Sequence, residues 1–228
     1  MLRKSIIKLD NVWKVYQMGE VEVNALKGVS LEVIHGDFVA ITGASGSGKS
    51  TMMNLVGCLD LPTRGSIFLD GKNILEMNES NLAQIRGKKI GFIFQQFHLI
   101  PTLSAVENVM LPLEFQDIPT DIAKKRATEI LNKVGLVGRV KHLPSQLSGG
   151  EQQRVAIARS LANNPDVILA DEPTGNLDSI AGANVLDLLE NLWKREGKTI
   201  IMVTHDSKLA SHAKRIIQLK DGQILKGG

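Results

Sequence analysis

Short apolar runs alternate along the chain with longer segments in which apolar residues recur every three or four positions. The short runs predict β-strands, and the periodic segments predict amphipathic α-helices. Several runs are apolar throughout, which is typical of parallel strands covered on both faces. The pattern therefore predicts an α/β fold with a mainly parallel sheet. The predicted strands are Phe38 to Thr42, Ile90 to Phe94, Val167 to Ala170, Thr199 to Val203 and Arg215 to Leu219.

The periodicity changes in two regions outside these runs. Residues 6–33 alternate in the manner of antiparallel strands, which predicts a β subdomain beside the main sheet. No convincing strand occurs between about residues 96 and 161, so we expect a helical subdomain inserted there. No linker divides the chain, and we expect a single domain over residues 1–228. Helices are predicted after Lys49, from about Asp121 to Val134, from near Ser148 and from about Ser179 to Glu196.

Composition argues against several classes of protein. The chain is 43% apolar and has a formal net charge of +3, an excess too small to indicate a nucleic-acid binder. Its single cysteine, Cys58, excludes an internal disulfide framework and suits a reducing compartment. No apolar stretch approaches the roughly 18 residues of a spanning helix, and the N-terminal residues lack the apolar core of a secretory signal. We therefore expect a cytosolic protein.

The segment ITGASGSGKST, residues 41–51, follows a predicted strand and opens a predicted helix. It matches G-x-x-x-x-G-K-[ST], in which glycines let successive N–H groups point into one concavity at a helix N-terminus. Lys49 is predicted to neutralise β- and γ-phosphate oxygens, and the Ser50 hydroxyl to ligate a bridging Mg²⁺. The alternative is an ordinary glycine-rich turn. The predicted nucleotide-binding residues are Gly43, Ala44, Ser45, Gly46, Ser47, Gly48, Lys49, Ser50 and Thr51.

A nucleotide site also needs carboxylates, and VILADE places Asp171 and Glu172 at the end of a predicted buried strand. Asp171 is predicted to hold Mg²⁺ through water, and Glu172 to orient or deprotonate the attacking water. Without the lysine turn upstream, two solvated carboxylates at a strand end would be the better interpretation. The lysine turn favours the catalytic one.

The stretch QLSGGEQQR, residues 146–154, contains S-x-x-E before a helical pattern, which predicts a capping box between Ser148 and Glu151. A cap does not need the two glycines between them, and each lowers helix stability by about 1 kcal/mol relative to alanine. We therefore expect Gly149 and Gly150 to allow the close approach of a second anion.

With this segment the sequence resembles the ATP-binding subunits of ABC transporters over nearly the whole chain, since LSGGE or LSGGQ is that family's signature motif. The resemblance implies ATP as the nucleotide and a head-to-tail homodimer in the ATP-bound state. Residues of one copy's helix tip, Ser148, Gly149, Gly150 and Glu151, would then face the γ-phosphate held by the other copy's 43–51 turn. An ordinary P-loop kinase shares the lysine turn but gives no reason for residues 148–151.

Four further residues match family motifs in the expected order. Tyr16 stands where the family stacks an aromatic ring on adenine, although a role in the strand core is the alternative. Gln95 matches the glutamine that senses Mg²⁺ and the attacking water, with Gln96 open as a one-residue misassignment. Asp178 matches the loop that links the two sites, or else caps a helix. His205 matches the histidine that contacts γ-phosphate and positions the catalytic glutamate.

Within the family, GFIFQQFHLIPTLSAVENVMLPL and LADEPTGNLDS resemble the branch that serves macrolide-efflux and lipoprotein-release permeases. The resemblance implies a subunit on the cytoplasmic face of the membrane, attached through an integral membrane permease. The alternative is a soluble ATPase of the same family that acts on DNA or the ribosome. The family's permease groove would lie near apolar residues that periodicity assigns mostly to the core, namely Phe97, Leu99, Ile100, Leu103, Val106, Val109 and Leu111.

Overall fold

The structure is a computed structural model that describes residues 4–225, except for the side chain of Met18. The described residues divide into two compact units, one formed by residues 4–86 with 197–225 and the other by residues 87–196. The strands in chain order are β1 (Ser5–Met18), β2 (Val21–Ile34), β3 (Phe38–Thr42), β4 (Arg64–Leu69), β5 (Lys72–Asn73), β6 (Ile90–Ile93), β7 (Val167–Asp171), β8 (Thr199–Val203), β9 (Arg215–Lys220) and β10 (Gln223–Leu225). The α-helices are α1 (Lys49–Val56), α2 (Glu79–Lys89), α3 (Ala105–Glu114), α4 (Thr120–Lys133), α5 (Gly149–Leu161), α6 (Ser179–Glu196) and α7 (Ser207–Ala210).

The first unit contains an antiparallel sheet in the order β2-β1-β4-β5. Strand β1 pairs with β2 along nearly its whole length, and several register shifts bend the pair. In the second half of β2 buried residues alternate with more exposed ones, so Leu26, Val29, Leu31 and Val33 face the core. The antiparallel β subdomain predicted from residues 6–33 is therefore confirmed.

The same unit contains strands β10, β9, β3 and β8 as consecutive neighbours. Strand β3 runs parallel to both β8 and β9, and β10 is antiparallel to β9. All of β8 and four of the five residues of β3 are buried. This burial on both faces explains why these two runs lack alternation.

A buried carboxylate fixes the start of β3. Asp37 is 1% exposed and accepts hydrogen bonds from Lys214, just before β9, at 3.2 Å and from Arg215, the first residue of β9, at 3.1 Å. The Ile34 N–H also points at Asp37, at 3.4 Å. Opposite charge and hydrogen bonds compensate for the desolvation of this group.

The second unit joins a short parallel pair, β6 and β7, to four helices. All of residues 94–166 are described, and none of them lies in a strand. Helices α3, α4 and α5 share one apolar cluster, which includes Val109, Leu113, Ala127, Leu131 and Val155. The helical character predicted for about 96–161 is confirmed, while its status as an inserted subdomain of a single 1–228 domain stays a prediction.

Helix α3 was not predicted, and a buried amide explains how it is held. The Asn108 side chain is fully buried and donates to the carbonyls of Ile100, Leu103 and Ser104, while it accepts from the Ile100 N–H. It thereby ties the preceding loop to the first turns of the helix. Of the apolar residues considered for a permease groove, Val106 and Val109 are buried in the core. Ile100 is 41% exposed, and the remaining four, Phe97, Leu99, Leu103 and Leu111, are partly buried.

The described part of the chain, residues 4–225, contains no helix with the length and apolar character required to cross a bilayer.

Candidate functional site

The turn between β3 and α1 is built by glycines that no other residue could replace. A Cβ on Gly43 would lie 2.3 Å from the Leu219 carbonyl oxygen, so only hydrogen fits there. Gly48 has a φ of 102°, and its Cβ would lie 2.5 Å from the Ala25 carbonyl oxygen. Both positions need glycine for steric reasons, and Gly48 also needs it for its left-handed backbone.

Gly48 is the N-cap of α1, and no side chain caps this helix end. The first N–H groups of a helix have no intrahelical partner, and the helix dipole adds partial positive charge at this end. Lys49 begins the helix, and its Nζ donates to the carbonyls of Gly43 and Ala44 at 2.8 Å each. The buried Ser47 hydroxyl has no hydrogen-bond partner within residues 4–225. An uncapped helix N-terminus, a lysine and a buried hydroxyl without a partner among these residues fit a phosphate chain.

A cleft of about 510 Å³ opens over this turn. Val23, Asn24, Ala25 and Lys27 of β2 form one wall, and Asp221 and Gly222 contribute at the β9–β10 turn. From the predicted set, the lining residues are Ser45, Gly46, Gly48, Lys49, Ser50 and Thr51.

Tyr16 lies beside this cleft. It pairs directly with Val23 in the antiparallel β1–β2 ladder, and Val23 lines the cleft. Residues directly opposite each other in an antiparallel pair point their side chains to the same face. The Tyr16 hydroxyl donates to Asp60 Oδ2 at 3.0 Å, so the ring is anchored at its polar end.

Sequence reasoning missed two residues around this ring, Lys14 and Asp60. Lys14 Nζ lies 5.0 Å from the Tyr16 ring centroid and donates to Asp60 Oδ1 at 2.6 Å. Strand alternation was an available signal, because positions 14 and 16 share one face of β1. Asp60 follows α1 and is 46 residues from Lys14, so no local pattern could indicate it.

His205 follows strand β8 at the same edge of the sheet at which the glycine turn follows β3. In the parallel β3–β8 pair Ile41 lies opposite Val203, and the Thr204 N–H donates to the Ile41 carbonyl at 3.1 Å. The carboxyl ends of both strands are therefore adjacent, and His205 is exposed there. The first unit thus contains the 43–51 turn, with Tyr16 beside its cleft and His205 at the end of the neighbouring strand.

The second unit brings the predicted carboxylates and the glutamine together at its own strand ends. Ile93 lies opposite Ala170 in the parallel β6–β7 pair, so Gln95 and Asp171 follow neighbouring strands. Asp171 ends β7 and is partly buried. Glu172 comes next, with a left-handed φ of 44°. For a non-glycine residue this conformation is strained, and such strain is typical of functional positions.

Gln95 contacts the loop that follows Glu172, and its assignment over Gln96 stays a prediction. The Gln95 carbonyl accepts from Asn176 Nδ2 at 2.9 Å, and a Cβ on Gly175 would lie 2.7 Å from Gln95 Nε2. Gln95 therefore packs against the loop that follows Glu172. Beneath both segments, the buried Gln153 amide donates to the Pro173 carbonyl at 2.6 Å and to the Phe94 carbonyl at 3.4 Å.

The capping box predicted at the start of α5 is present. The Glu151 N–H donates to Ser148 Oγ at 3.2 Å, and Ser148 N–H donates to Glu151 Oε2 at 2.8 Å. Arg139 Nε donates to Glu151 Oε1 at 2.8 Å. The hydrogen bond from Arg139, followed by that from the Ser148 backbone, lowers the Glu151 pKa to about 2.

The two glycines of this helix tip differ in their surroundings. A Cβ on Gly150 would lie 2.9 Å from the Ala181 Cβ on α6, so helix packing alone requires this glycine. A Cβ on Gly149 would meet only ordinary contacts, at 3.6 Å or more. Packing within the chain therefore explains Gly150 but not Gly149. Asp178 caps α6, since its Oδ1 accepts from the N–H groups of Ile180 and Ala181.

Comparisons with known proteins agree with this geometry. The ABC transporter family model matches residues 26–175. An ABC transporter ATP-binding protein of Thermotoga maritima is 50% identical over 221 residues, which are 97% of this chain and 94% of that protein. The macrolide export ATP-binding/permease protein MacB of Escherichia coli is 51% identical over 222 residues, which are 97% of this chain and 34% of that longer protein.

A solved structure is also closely similar, with a TM-score of 0.89, 50% identity and 97% coverage of both chains. It is the dimeric post-hydrolysis state of the ATP-binding cassette MJ0796 of Methanocaldococcus jannaschii, bound to ADP and Pi. The family match spans more than half of the chain. The sequence identities of about 50% are high enough to show membership of the family and not only a shared fold. The chain therefore belongs to the ABC transporter family, as one of its ATP-binding ATPase subunits.

Proposed function

We propose that two copies of this chain close head to tail around ATP and that hydrolysis reopens them, which drives a membrane permease. The observation that carries this proposal is the exposed tip of α5, where Gly149 has no packing reason to be glycine. The dipole of α5 and its exposed Ser148 make this tip suited to a phosphate that the same chain's 43–51 turn does not hold. The dimeric state of the similar cassette MJ0796 supports this arrangement.

In the proposed site the 43–51 turn binds the phosphates of ATP. The glycines let its N–H groups converge, Lys49 neutralises β- and γ-phosphate oxygens, and Tyr16 stacks on adenine. The tip formed by residues 148–151 completes the site from the second copy. Each of the two sites is then formed by both copies. ATP stabilises the closed dimer by the difference between its binding free energies for the closed and the open state.

Bond cleavage is assigned to the residues at the strand ends. Glu172 orients the attacking water and accepts its proton, and His205 contacts the γ-phosphate and positions Glu172. Asp178 caps α6, whose first turn packs against the α5 tip at Ala181 and Gly150. It is assigned to the coupling between the two shared sites. Loss of the γ-phosphate removes contacts made by both copies, so the dimer opens after hydrolysis.

The residues present also fit Mg²⁺. The Ser50 hydroxyl, the Gln95 amide and the Asp171 carboxylate would hold the ion, since they offer the oxygen ligands that Mg²⁺ prefers. When bound, Mg²⁺ would neutralise negative charge that develops on the phosphates during hydrolysis. Within residues 4–225 no three His, Cys, Asp or Glu side chains cluster as a metal site of their own.

The partner in this proposal is an integral membrane permease, which places the chain at the cytoplasmic face of the membrane. The similar MacB protein is described as an ATP-binding/permease protein for macrolide export, which supports a permease of the macrolide-export or lipoprotein-release type. Stable co-purification with an integral membrane protein tests this part. No nucleic acid is required.

Two single variants and their mixture test the shared site. Lys49→Ala removes the phosphate-binding amine of the first half-site, and Ser148→Arg blocks the tip of the second. Each alone should lose ATP hydrolysis. In a mixed dimer one site combines both lesions and the other has neither, so ATPase activity should reappear on mixing. If Ser148→Arg alone hydrolyses ATP at the wild-type rate, the shared site is wrong.

A third variant tests the chemical step. Glu172→Gln keeps the shape of the side chain but cannot accept a proton, so hydrolysis should slow by about 10²- to 10⁴-fold. ATP binding should remain, and ATP should therefore accumulate a dimer in size-exclusion chromatography. A variant that hydrolyses ATP at the normal rate would exclude Glu172 as the base.

A further inference from the structure

Tyr16 is held on one side by a charged pair that the proposed function does not use. Lys14 Nζ lies over the ring, 5.0 Å from its centroid. The same Nζ donates to Asp60 Oδ1 at 2.6 Å and to the Leu61 carbonyl at 2.8 Å. The lysine is thus fixed by two acceptors, and only 13% of its side chain is exposed.

Asp60 links both members of this pair. Its Oδ1 accepts from Lys14, and its Oδ2 accepts from the Tyr16 hydroxyl at 3.0 Å. Burial alone would raise the Asp60 pKa, but hydrogen bonds from Lys14, the Leu61 N–H and Tyr16 lower it below its ordinary value. The carboxylate is therefore ionised at neutral pH, and one anion fixes both the phenol and the ammonium.

This arrangement makes the two faces of the ring different. The ammonium covers one face, where it is attracted by the ring quadrupole. It also withdraws π-electron density, which makes the other face a better partner for an electron-rich base. Tyr16 is partly buried and lies opposite Val23 of the cleft wall. Since the ammonium covers one face of the ring, only the opposite face can stack on a base.

We propose that Lys14 and Asp60 are positioning residues that fix the Tyr16 ring, so that the adenine of ATP stacks only on the face opposite the Lys14 ammonium. This inference rests on the proposed function, in which Tyr16 stacks on adenine. Lys14 and Asp60 contact no nucleotide atom. They set the affinity for the base and leave the phosphate contacts of the 43–51 turn unchanged.

Calorimetric titration of the whole protein with two probes separates these contributions. ADP reports base and phosphate contacts together, whereas tripolyphosphate reports phosphate contacts alone. Lys14→Met, which keeps the apolar stem, should weaken ADP binding by about fivefold, the scale of a lost cation–π contact. Tripolyphosphate affinity should change less than about twofold. In turnover assays KM for ATP should rise while kcat changes little.

The chain offers matched controls. Lys14→Arg keeps the charge and the donors, so it should restore most of the ADP affinity. Lys8 lies on the same strand, with its Nζ 5.8 Å from the Phe68 ring centroid. Lys8→Met therefore removes a similar lysine–aromatic contact away from the cleft, and it should leave ADP affinity unchanged.

A spectroscopic signal reports on the ring itself. Tyr16 is the only tyrosine of the chain, so 3-fluorotyrosine labelling gives one ¹⁹F resonance that needs no assignment. Without nucleotide, Lys14→Met and Asp60→Asn should each shift this resonance, because the ammonium or its anchor is lost. ADP should shift it in the wild type, and tripolyphosphate should shift it much less.

Three outcomes are informative. If Lys14→Met leaves ADP affinity unchanged, or weakens ADP and tripolyphosphate equally, the positioning role is wrong. If Tyr16→Ala weakens ADP binding but Lys14→Met does not, only this inference fails. If Tyr16→Ala also binds ADP normally, the stacking role of Tyr16 and this inference both fail, while the proposed ATP hydrolysis stands on Lys49 and Glu172.

Discussion

Two helices of this chain begin with glycines in their first turn or cap, and their N-termini are built in opposite ways. Helix α1 has Gly48 as its N-cap and no side-chain cap. Helix α5 has Ser148 as its N-cap and a complete capping box with Glu151. The first end leaves its N–H groups to a ligand, whereas the second already satisfies part of its own.

This difference suggests that the α1 end binds phosphate, whereas the α5 end contacts a phosphate that another chain already holds. The bare end of α1, with Lys49 beside it, has the charge and the donors to bind phosphate without a second chain. The capped end of α5 carries a carboxylate of its own, and Arg139 offsets that charge. It is therefore a weak anion site in isolation. Such an end is suited to contact a phosphate that is already bound elsewhere, so its contribution appears only when two copies meet.

The largest expected effect follows from the α1 cap. Gly48→Ala places a methyl group 2.5 Å from the Ala25 carbonyl oxygen at a φ of 102°, so the turn cannot keep its shape. The rate of ATP hydrolysis should fall about 100-fold or more, which is the scale expected when a preorganised set of hydrogen-bond donors is lost. Steady-state ATPase assays and ADP titration check this.

Gly197→Ala is the matched control for Gly48→Ala. Gly197 also has a left-handed φ, of 67°, but a Cβ there meets nothing within 4 Å. The substitution should lower the free energy of unfolding by about 1–2 kcal/mol and leave ADP affinity unchanged. Equal loss of ADP affinity in both variants would mean that the α1 cap has no special role.

The next effect concerns the α5 tip. Gly150→Ala forces a methyl group against the Ala181 Cβ, 2.9 Å away on α6, and neither helix can move without disturbing its core. The free energy of unfolding should decrease by about 1–3 kcal/mol, the usual range for overpacking. Urea denaturation measures it. A stability equal to that of the wild type would show that α5 and α6 are not closely packed here.

A smaller effect of opposite sign is expected one residue earlier. Gly149→Ala meets only ordinary contacts, and alanine is the better helix former, so stability should rise by up to about 1 kcal/mol. The ATP-dependent dimer of the Glu172→Gln background should nevertheless weaken, because the methyl group stands where the second phosphate contact is proposed. A variant that gains stability and dimerises normally would remove the functional reason for this glycine.

Sequence patterns predicted the elements whose structure is determined by a short stretch of neighbouring residues. Strands β3 and β8 match their predicted bounds because uninterrupted apolar runs define them. The 43–51 turn was predicted because its spacing carries its own geometry. Helix α2 was missed because it buries no residue and so has no apolar periodicity. Helix α3 was missed because Pro112 lies inside it.

Of the candidate site, the sequence predicted only the residues that belong to recognisable motifs. Lys14 and Asp60 are 46 residues apart, and Gly150 and Ala181 meet through helix packing. No sequence pattern brings such pairs together, because tertiary folding alone decides their distance. The structure therefore adds the surroundings of the motif residues, namely what anchors Tyr16 and why Gly150 must be small.

The smallest effect tests the charge of the α5 cap. The Glu151 pKa is lowered to about 2 from an ordinary value near 4.5, because the Arg139 and Ser148 hydrogen bonds favour the ionised form. A lowered folded-state pKa contributes stability that is present above about pH 4.5 and is lost as the pH falls toward 2. Glu151→Gln should therefore be less stable than the wild type at pH 6, by under about 1 kcal/mol. The difference should shrink below pH 4.5.

Urea denaturation of both proteins between pH 6 and pH 3 measures this difference. Glu107 supplies the control, since it forms the same box with Ser104 at the start of α3 and accepts no hydrogen bond from an arginine within residues 4–225. Its pKa is also lowered, chiefly by the Ser104 hydrogen bonds, so Glu107→Gln should show the same pH trend with a smaller amplitude. If the two variants behave identically, Arg139 adds nothing to the α5 cap, and the negative charge of that tip is not offset. A tip of that kind would repel a second phosphate rather than complete its site.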